Sequence, residues 1–237
     1  MSAKNTLVIG GSSGIGLEVA KALVGQNENV FVGSRNAEAL HDAPGIAHLP
    51  LDVRQGDLDL GSLPETLQGL VYCPGTIRLK PFQRLTDADF TEDLDINLLG
   101  AVRVLQGCLT RLKKSPSGAS IVFFSTVAVT AGMPFHASVA SAKGALEGLT
   151  RSLAAELAPR VRVNALAPSL TDTPLAKDLL STDEKRKAAA DRHPLKRIGS
   201  AGEMAAMVLF LLSDAAAWMT GQIIHMDGGM AALRTFR

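Results

Sequence analysis

The chain is poor in cysteine, carries no block of like charge and has no long hydrophobic run. Its two cysteines, Cys73 and Cys108, form neither a CxxC pair nor a metal-ligand spacing, so no metal centre is expected. Both read as small buried hydrophobes in a reducing compartment. The formal net charge is +1, with charged residues making up 20% and spread along the chain. That balance excludes a basic nucleic-acid groove and a polybasic membrane patch, leaving a small-molecule substrate as the expected partner. The longest apolar run, Met204 to Leu212, falls far short of the roughly 20 residues that cross a bilayer. The first strand begins about five residues after Met1, which leaves no room for a signal peptide. A cytoplasmic protein without a membrane anchor is therefore expected.

What is present is glycine in an informative place. Leu7, Val8 and Ile9 form a short apolar run, followed by Gly10-Gly11-Ser12-Ser13-Gly14-Ile15-Gly16 and then by a helical period through Ile15, Val19, Ala20 and Leu23. Strand, tight turn and helix in that order are the parts of a dinucleotide site. The glycines let backbone N–H groups approach a pyrophosphate, and the helix N-terminus adds partial positive charge. The spacing of Gly10, Gly14 and Gly16 is G-x-x-x-G-x-G, not the G-x-G-x-x-G of the older fingerprint.

Further β-type runs recur at 29 to 33, 46 to 51, 69 to 73, 119 to 125, 160 to 166 and 221 to 226, the first being 5 to 10. Helical periods separate them, so the expectation is an α/β Rossmann-type fold: a doubly wound, parallel, seven-stranded sheet with helices on both faces. Right-handed crossovers from a switch point beside the first strand give the order 3-2-1-4-5-6-7, with the ligand crevice at the carboxyl ends. At 237 residues, one domain spanning 1–237 suffices. The connections 36 to 45 and 54 to 68 leave space for one or two helical turns, and the polar stretch 177 to 192 reads as a mobile lid or a solvated helix. The segment Ser138 to Leu157 is apolar on more than one side. With Leu94 to Leu109 it is expected to form a symmetric interface in a homo-oligomer, dimer or tetramer; a deeply buried helix in a monomer is the alternative.

Together with later signposts the glycine segment resembles the short-chain dehydrogenase/reductase family over residues 5 to 229. That resemblance implies an NAD(P)-dependent oxidoreductase and carries site residues with it. Gly10, Ser12, Ser13, Gly14, Ile15 and Gly16 would hold the pyrophosphate, and Asp52 and Val53 the adenine. Asn97, in Asn97-Leu98-Leu99-Gly100, resembles the helix asparagine whose main chain holds a proton-relay water. Ser125-Thr126 occupies the position of the substrate-polarising serine, and Lys143 matches the lysine on the nicotinamide ribose. Pro168-Ser169-Leu170-Thr171-Asp172-Thr173 resembles the Pro-Gly-x-Ile-x-Thr loop that meets the carboxamide and pyrophosphate, by way of Pro168, Thr171 and Thr173. Tyr72-Cys73-Pro74-Gly75 stands where the family usually has Asn-Asn-Ala-Gly, so Pro74 and Gly75 also border the cofactor.

Charge argues the choice of cofactor. An NAD site wants a carboxylate after the second strand for the ribose 2′-OH, whereas an NADP site must satisfy a phosphate. Here the residues are Ser34, Arg35 and Asn36, with no carboxylate, and the planar donor fork of Arg35 suits a phosphate. NADP(H) is preferred and NAD(H) remains possible, since Ser13 sits where many NADP-preferring members have a second basic residue.

The family's central pair is Tyr-x-x-x-Lys, which stacks two groups on one helix face. In this chain Val139 precedes Lys143 at that distance, and the only tyrosine, Tyr72, belongs to the fourth strand. Positioned acid–base groups contribute about 10² to 10⁴ in rate. Three readings follow. Another group acts as the acid, with His136 the first choice and Ser138, Ser125 and Thr126 also near the position. Alternatively the substrate, an iminium or an enone, needs no phenol. In the third, the chain is a catalytically impaired, cofactor-binding sensor or scaffold.

Overall fold

The computed structural model describes residues 3–234, so Met1, Ser2 and residues 235–237 of the expected 1–237 unit lie outside the described residues. The described residues form nine strands: β1 (Asn5–Ile9), β2 (Asn29–Ser34), β3 (Ile46–Pro50), β4 (Gly69–Tyr72), β5 (Ala119–Phe124), β6 (Val161–Pro168), β7 (Thr171–Asp172), β8 (Gly199–Ser200) and β9 (Ile223–Met226). Seven of them pair in parallel in the order β3-β2-β1-β4-β5-β6-β9. The expected topology is thus present, with its last strand ninth in the chain. The two extra strands, β7 and β8, form a separate parallel pair of two residues each. Strands that short carry no alternation for sequence reasoning to find.

Every residue of β4 and β5 is buried, as a parallel strand covered on both faces requires. Successive side chains go to opposite layers. Leu7, Ile9, Leu70, Ile121 and Val163 pack toward α3 (Gly100–Lys113) and α5 (Ala137–Leu157). Val8, Val32, Val71, Val122 and Leu166 pack toward α1 (Gly14–Gly25) and α7 (Ala201–Leu212).

Several boundaries differ from expectation. Residues 54 to 68 form turns without a helix, and 36 to 45 holds only the 3-10 turn Glu38–Leu40. β6 runs on to Pro168, because its last residues continue the ladder to β9. The polar stretch 177 to 192 is a solvated helix, α6 (Asp183–Asp191), whose first turn is capped by Thr182 accepting from the Lys185 N–H. It follows the 3-10 segment Pro174–Leu180. Leu94 to Leu109 is not one helix. α2 (Asp87–Leu94), opened by a capping box of Thr86 and Asp89, passes into a π-type turn at Asp95–Leu99 before α3 begins. On α5 the outward positions Ala145, Gly148 and Ala155 are exposed, so the helix is not buried on all sides within one chain. Among the described residues no helix is long and apolar enough to cross a membrane.

Tyr72 is a structural residue. Its hydroxyl donates to the Ile96 carbonyl at 2.6 Å, and burial pushes its pKa far above the ordinary phenol value. Gly100 lies directly against that hydroxyl, where a Cβ would overlap it. Tyr72→Phe removes this buried bond and is expected to cost about 0.5–1.5 kcal/mol, read as a lower midpoint in urea unfolding with an unchanged slope. An unshifted midpoint would show that the bond contributes nothing.

Candidate functional site

Two cavities open at the carboxyl ends of the strands, on either side of Gly75, Thr173 and Ile15, which line both. The larger, of about 600 Å³, is a groove along the first crossover. Gly10, Ser12, Ser13, Gly14, Ile15 and Gly16 form its floor; Ser34, Arg35, Asn36, Asp52 and Val53 one end; Pro74, Gly75 and Thr173 the other. All but three of the residues expected to bind cofactor therefore lie together. Those three, Lys143, Pro168 and Thr171, line the second cavity instead.

The groove's floor offers backbone donors, while its lining carries Arg35 and Arg54 beside Glu38, Asp52 and Glu92. Gly10 and Gly14 take φ +74 and +51, and a Cβ on Gly16 would overlap the Gly10 carbonyl oxygen. Ser13 begins α1 without a side-chain cap, and the first turn contains no acidic residue, so its orphan N–H groups remain for a ligand. At the far end Arg54 forms a fork with Asp52, its shortest contact 2.6 Å. That hydrogen bond, with further help from the charges of Arg54 and Arg35, holds the Asp52 carboxyl down to about 2. Arg54 was not singled out from the sequence, though its basic side chain two residues beyond Asp52 was visible there. Ser34 is partly committed, donating from Oγ to the Asn36 carbonyl at 2.7 Å.

The second cavity, of about 290 Å³, is mostly apolar, with Phe124, Val127, Met133, Leu170 and Leu179 among its walls. Val139 lines it, buried, one helical turn before Lys143. Lys143 is buried too, and desolvation lowers its pKa to about 8. Its only side-chain hydrogen bond among the described residues is a long one of 3.4 Å to the Pro74 carbonyl. The two hydroxyls at the end of β5 part ways. Ser125, which lines the cavity, donates its Oγ hydrogen to the buried carboxylate of Glu147 at 2.6 Å. Thr126 accepts from the Ala128 N–H at 3.3 Å and keeps its own proton free.

His136 lines the same cavity with Nδ1 at 2.7 Å from the Pro134 carbonyl. A carbonyl only accepts, so Nδ1 carries hydrogen and Nε2 is left for a ligand. Ser138, expected to flank the vacant position, is buried with its hydroxyl unpartnered and does not line the cavity. Asn97 also lines neither cavity. It is buried in the π-type turn, donating to Thr76 Oγ1 at 2.9 Å and to the Asp93 carbonyl at 2.8 Å. Its Oδ1 has no partner and lies, with Lys143 Nζ, against Gly75. Met133 lines the cavity, Pro134, Phe135, Trp218 and Met219 do not, and Trp218 is fully exposed. Ser169 and His193, which the sequence did not single out as a pair, meet by their side chains on this wall.

A parallel sheet with a glycine crossover and a groove at its switch point is the build of a dinucleotide-binding enzyme. The family model described as enoyl-(acyl carrier protein) reductase matches residues 10–231. A tropinone reductase homolog of Arabidopsis thaliana is 34% identical over 95% of this chain and 92% of its own length. A short-chain type dehydrogenase/reductase from Mycobacterium ulcerans superposes with a TM-score of 0.88 at 29% identity, covering 99% of this chain and 92% of that one. The Pseudomonas aeruginosa RhlG/NADP active-site complex superposes with a TM-score of 0.90 at 27% identity, covering 98% and 97%. The chain belongs to the short-chain dehydrogenase/reductase family and is an enzyme of the NAD(P)-dependent oxidoreductase class.

Burial of Lys143 has a sign that can be tested. With its pKa at about 8 in the fold against 10.5 when free, the unfolded chain binds the extra proton between those values, so this group's contribution to stability rises with pH across that window. The cysteines and Tyr72 also titrate there, so the difference between wild type and Lys143→Met isolates the lysine. The variant is expected to be more stable at pH 7 by an amount on the order of 1–3 kcal/mol, an advantage that vanishes by pH 10.5. A pH-independent difference in chemical unfolding would contradict it.

Proposed function

We propose that this chain is an NADP(H)-dependent oxidoreductase that transfers hydride to or from a small to medium apolar organic substrate, with Val139 in the place of the family's tyrosine and a non-standard proton donor. The observation that carries the cofactor reading is the electrostatics of the groove. One end presents Arg35 and Arg54 around Asp52, and the floor presents uncapped helix N–H groups. Ser12 to Gly16 would hold the pyrophosphate, Arg35 with Ser34 and Asn36 the 2′-phosphate, and Asp52 with Val53 the adenine. Gly75 and Lys143 would meet the nicotinamide ribose, and Pro168, Thr171 and Thr173 the carboxamide and pyrophosphate. The bound nicotinamide supplies or accepts the hydride, and the residues of this chain orient the partners and handle the proton.

The second cavity sets the substrate class. Its walls favour an apolar body, and Thr126 offers the one free hydroxyl at the end of β5 where a carbonyl oxygen can be polarised. Carbonyl and alcohol pairs, enones and cyclic imines all fit that description. Val139 favours a second reading, a cofactor-binding sensor or scaffold, because an apolar side chain cannot exchange a proton there. The retained Lys143 and Thr126 on one cavity support the enzyme. The exposed small-residue face of α5, with Ala145, Gly148 and Ala155, supports a homo-oligomeric dimer or tetramer, and two free cysteines support a cytoplasmic location.

Fluorescence titration should give tighter binding of NADPH than NADH. Arg35→Ala should weaken NADPH by roughly tenfold or more while leaving NADH unchanged, since a charge-assisted phosphate contact contributes about 1.5–3 kcal/mol. Equal losses for both cofactors would remove the 2′-phosphate assignment. Val139→Tyr should raise ketone reduction by up to about 10²-fold, because a non-standard donor already supplies part of the 10² to 10⁴ that a positioned acid contributes. An inert Val139→Tyr protein that still binds NADPH favours the sensor.

A further inference from the structure

The wall of the substrate cavity holds a second proton-carrying pair. His193 follows α6 and is 3% exposed, with Nδ1 at 2.8 Å from the Ala189 carbonyl and Nε2 at 2.8 Å from Ser169 Oγ. Because the carbonyl only accepts, Nδ1 carries hydrogen and Nε2 faces the serine. Gly228 packs beside the ring, where a Cβ, were there one, would lie 3.4 Å from His193 Cδ2. Ser169 stands where the loop that this segment resembles has glycine, so its hydroxyl is an addition of this chain.

The location of the serine is as important as its partner. β5 and β6 run in register from Ala119↔Val161 to Phe124↔Leu166, and beyond it Val127 donates to the Pro168 carbonyl at 2.9 Å. Ser169 therefore follows directly on the residue bonded beside Thr126, at the same end of the sheet as Val139 and Lys143. Both Ser169 and His193 line the cavity. Apart from this pair, the nitrogen-bearing side chains of the wall are His136, Lys143 and Arg192.

We propose that the Ser169–His193 pair delivers the proton to the substrate oxygen in place of the missing phenol. This rests on the oxidoreductase reading above. The carbonyl carbon takes a hydride, with its two electrons, from the reduced nicotinamide, which becomes oxidised, and the C=O π pair moves onto oxygen. That oxygen takes the Ser169 Oγ proton. The serine is reloaded from Nε2–H of the His193 imidazolium, which returns to the neutral ring and recovers its proton from water. When the ring is charged, Nε2–H points at Oγ and frees the serine's own hydrogen, whose other neighbour is the weak acceptor Met230 Sδ at 3.5 Å. The carbonyl end of α6 lies beside His193, where positive charge is favoured. His136 sits at the opposite kind of helix end, the start of α5. Ser169 touches the substrate and is a catalytic residue; His193 acts through it and is a positioning and relay residue.

The test uses full-length protein with NADPH and decalone, an apolar bicyclic ketone. The wild type should bind NADPH and reduce decalone with a solvent isotope effect in D2O. Ser169→Gly, the residue of the resembled loop, should lower kcat by on the order of 10²-fold with KM and NADPH affinity little changed, and should lose the isotope effect. His193→Gln, which can still hydrogen-bond, should lose as much, and the double variant no more. Side-chain ¹⁵N spectra of cofactor-free protein should show the His193 Nε2 resonance moving in Ser169→Gly while Nδ1 stays. Variants with wild-type kcat and isotope effect, or an unmoved Nε2, overturn the relay and leave the function standing. So does a loss in His136→Asn that the serine and histidine variants do not share. A wild type that binds no NADPH overturns the function and the relay together, and one that binds NADPH but leaves decalone unreduced overturns the relay.

Discussion

The close approach of Gly16 to the Gly10 carbonyl is the constraint on which the rest of the structure depends. Any side chain at position 16 would push α1 away from β1, and the uncapped first turn would no longer face the groove. Held close, the helix brings its N–H groups to the carboxyl ends of the strands, at the point where the sheet order turns from β1 outward in both directions. The apolar layers on both faces of β4 and β5 keep that end rigid. Around it the chain gathers two cavities of different character. One is polar and guanidinium-rich at its far end; the other is apolar, with a few convergent polar groups.

These cavities meet at Gly75 and Thr173, and Lys143 stands at their junction with its charge poorly solvated. Its ammonium lies near the unpartnered Oδ1 of Asn97 against Gly75, so the buried polar groups there are arranged for something besides each other. On our reading, a family site that keeps its cofactor-facing parts while Val139 replaces the phenol has to find its proton elsewhere or use a substrate that needs none. The Ser169–His193 pair on the same cavity is our proposed answer to that need, with its hydrogen bonds already formed.

Much of this was legible in the sequence because its signals are local. The glycine crossover, the apolar runs of the strands and the spacing of Val139 to Lys143 are each local, and the seven strands of the main sheet lie within a few residues of where the pattern put them. What was not legible depends on pairs distant along the chain. Ser169 meets His193 across 24 residues, and Ser125 meets Glu147 across 22, so neither could be read from spacing. The second pair decides which of two adjacent hydroxyls is free, a distinction the dipeptide Ser125-Thr126 does not contain. The π-type turn that buries Asn97 and the two-residue strands β7 and β8 are likewise set by packing, since segments so short have no period of their own.

The most direct test of the account is a crystal structure of the protein grown with NADPH. The pyrophosphate should lie on the N–H groups of Ser12 to Gly16, with the 2′-phosphate against Arg35 and the nicotinamide ribose beside Lys143. Crystals in which the groove stays closed to the nucleotide at saturating NADPH, or in which the 2′-phosphate points away from Arg35 into solvent, would contradict it.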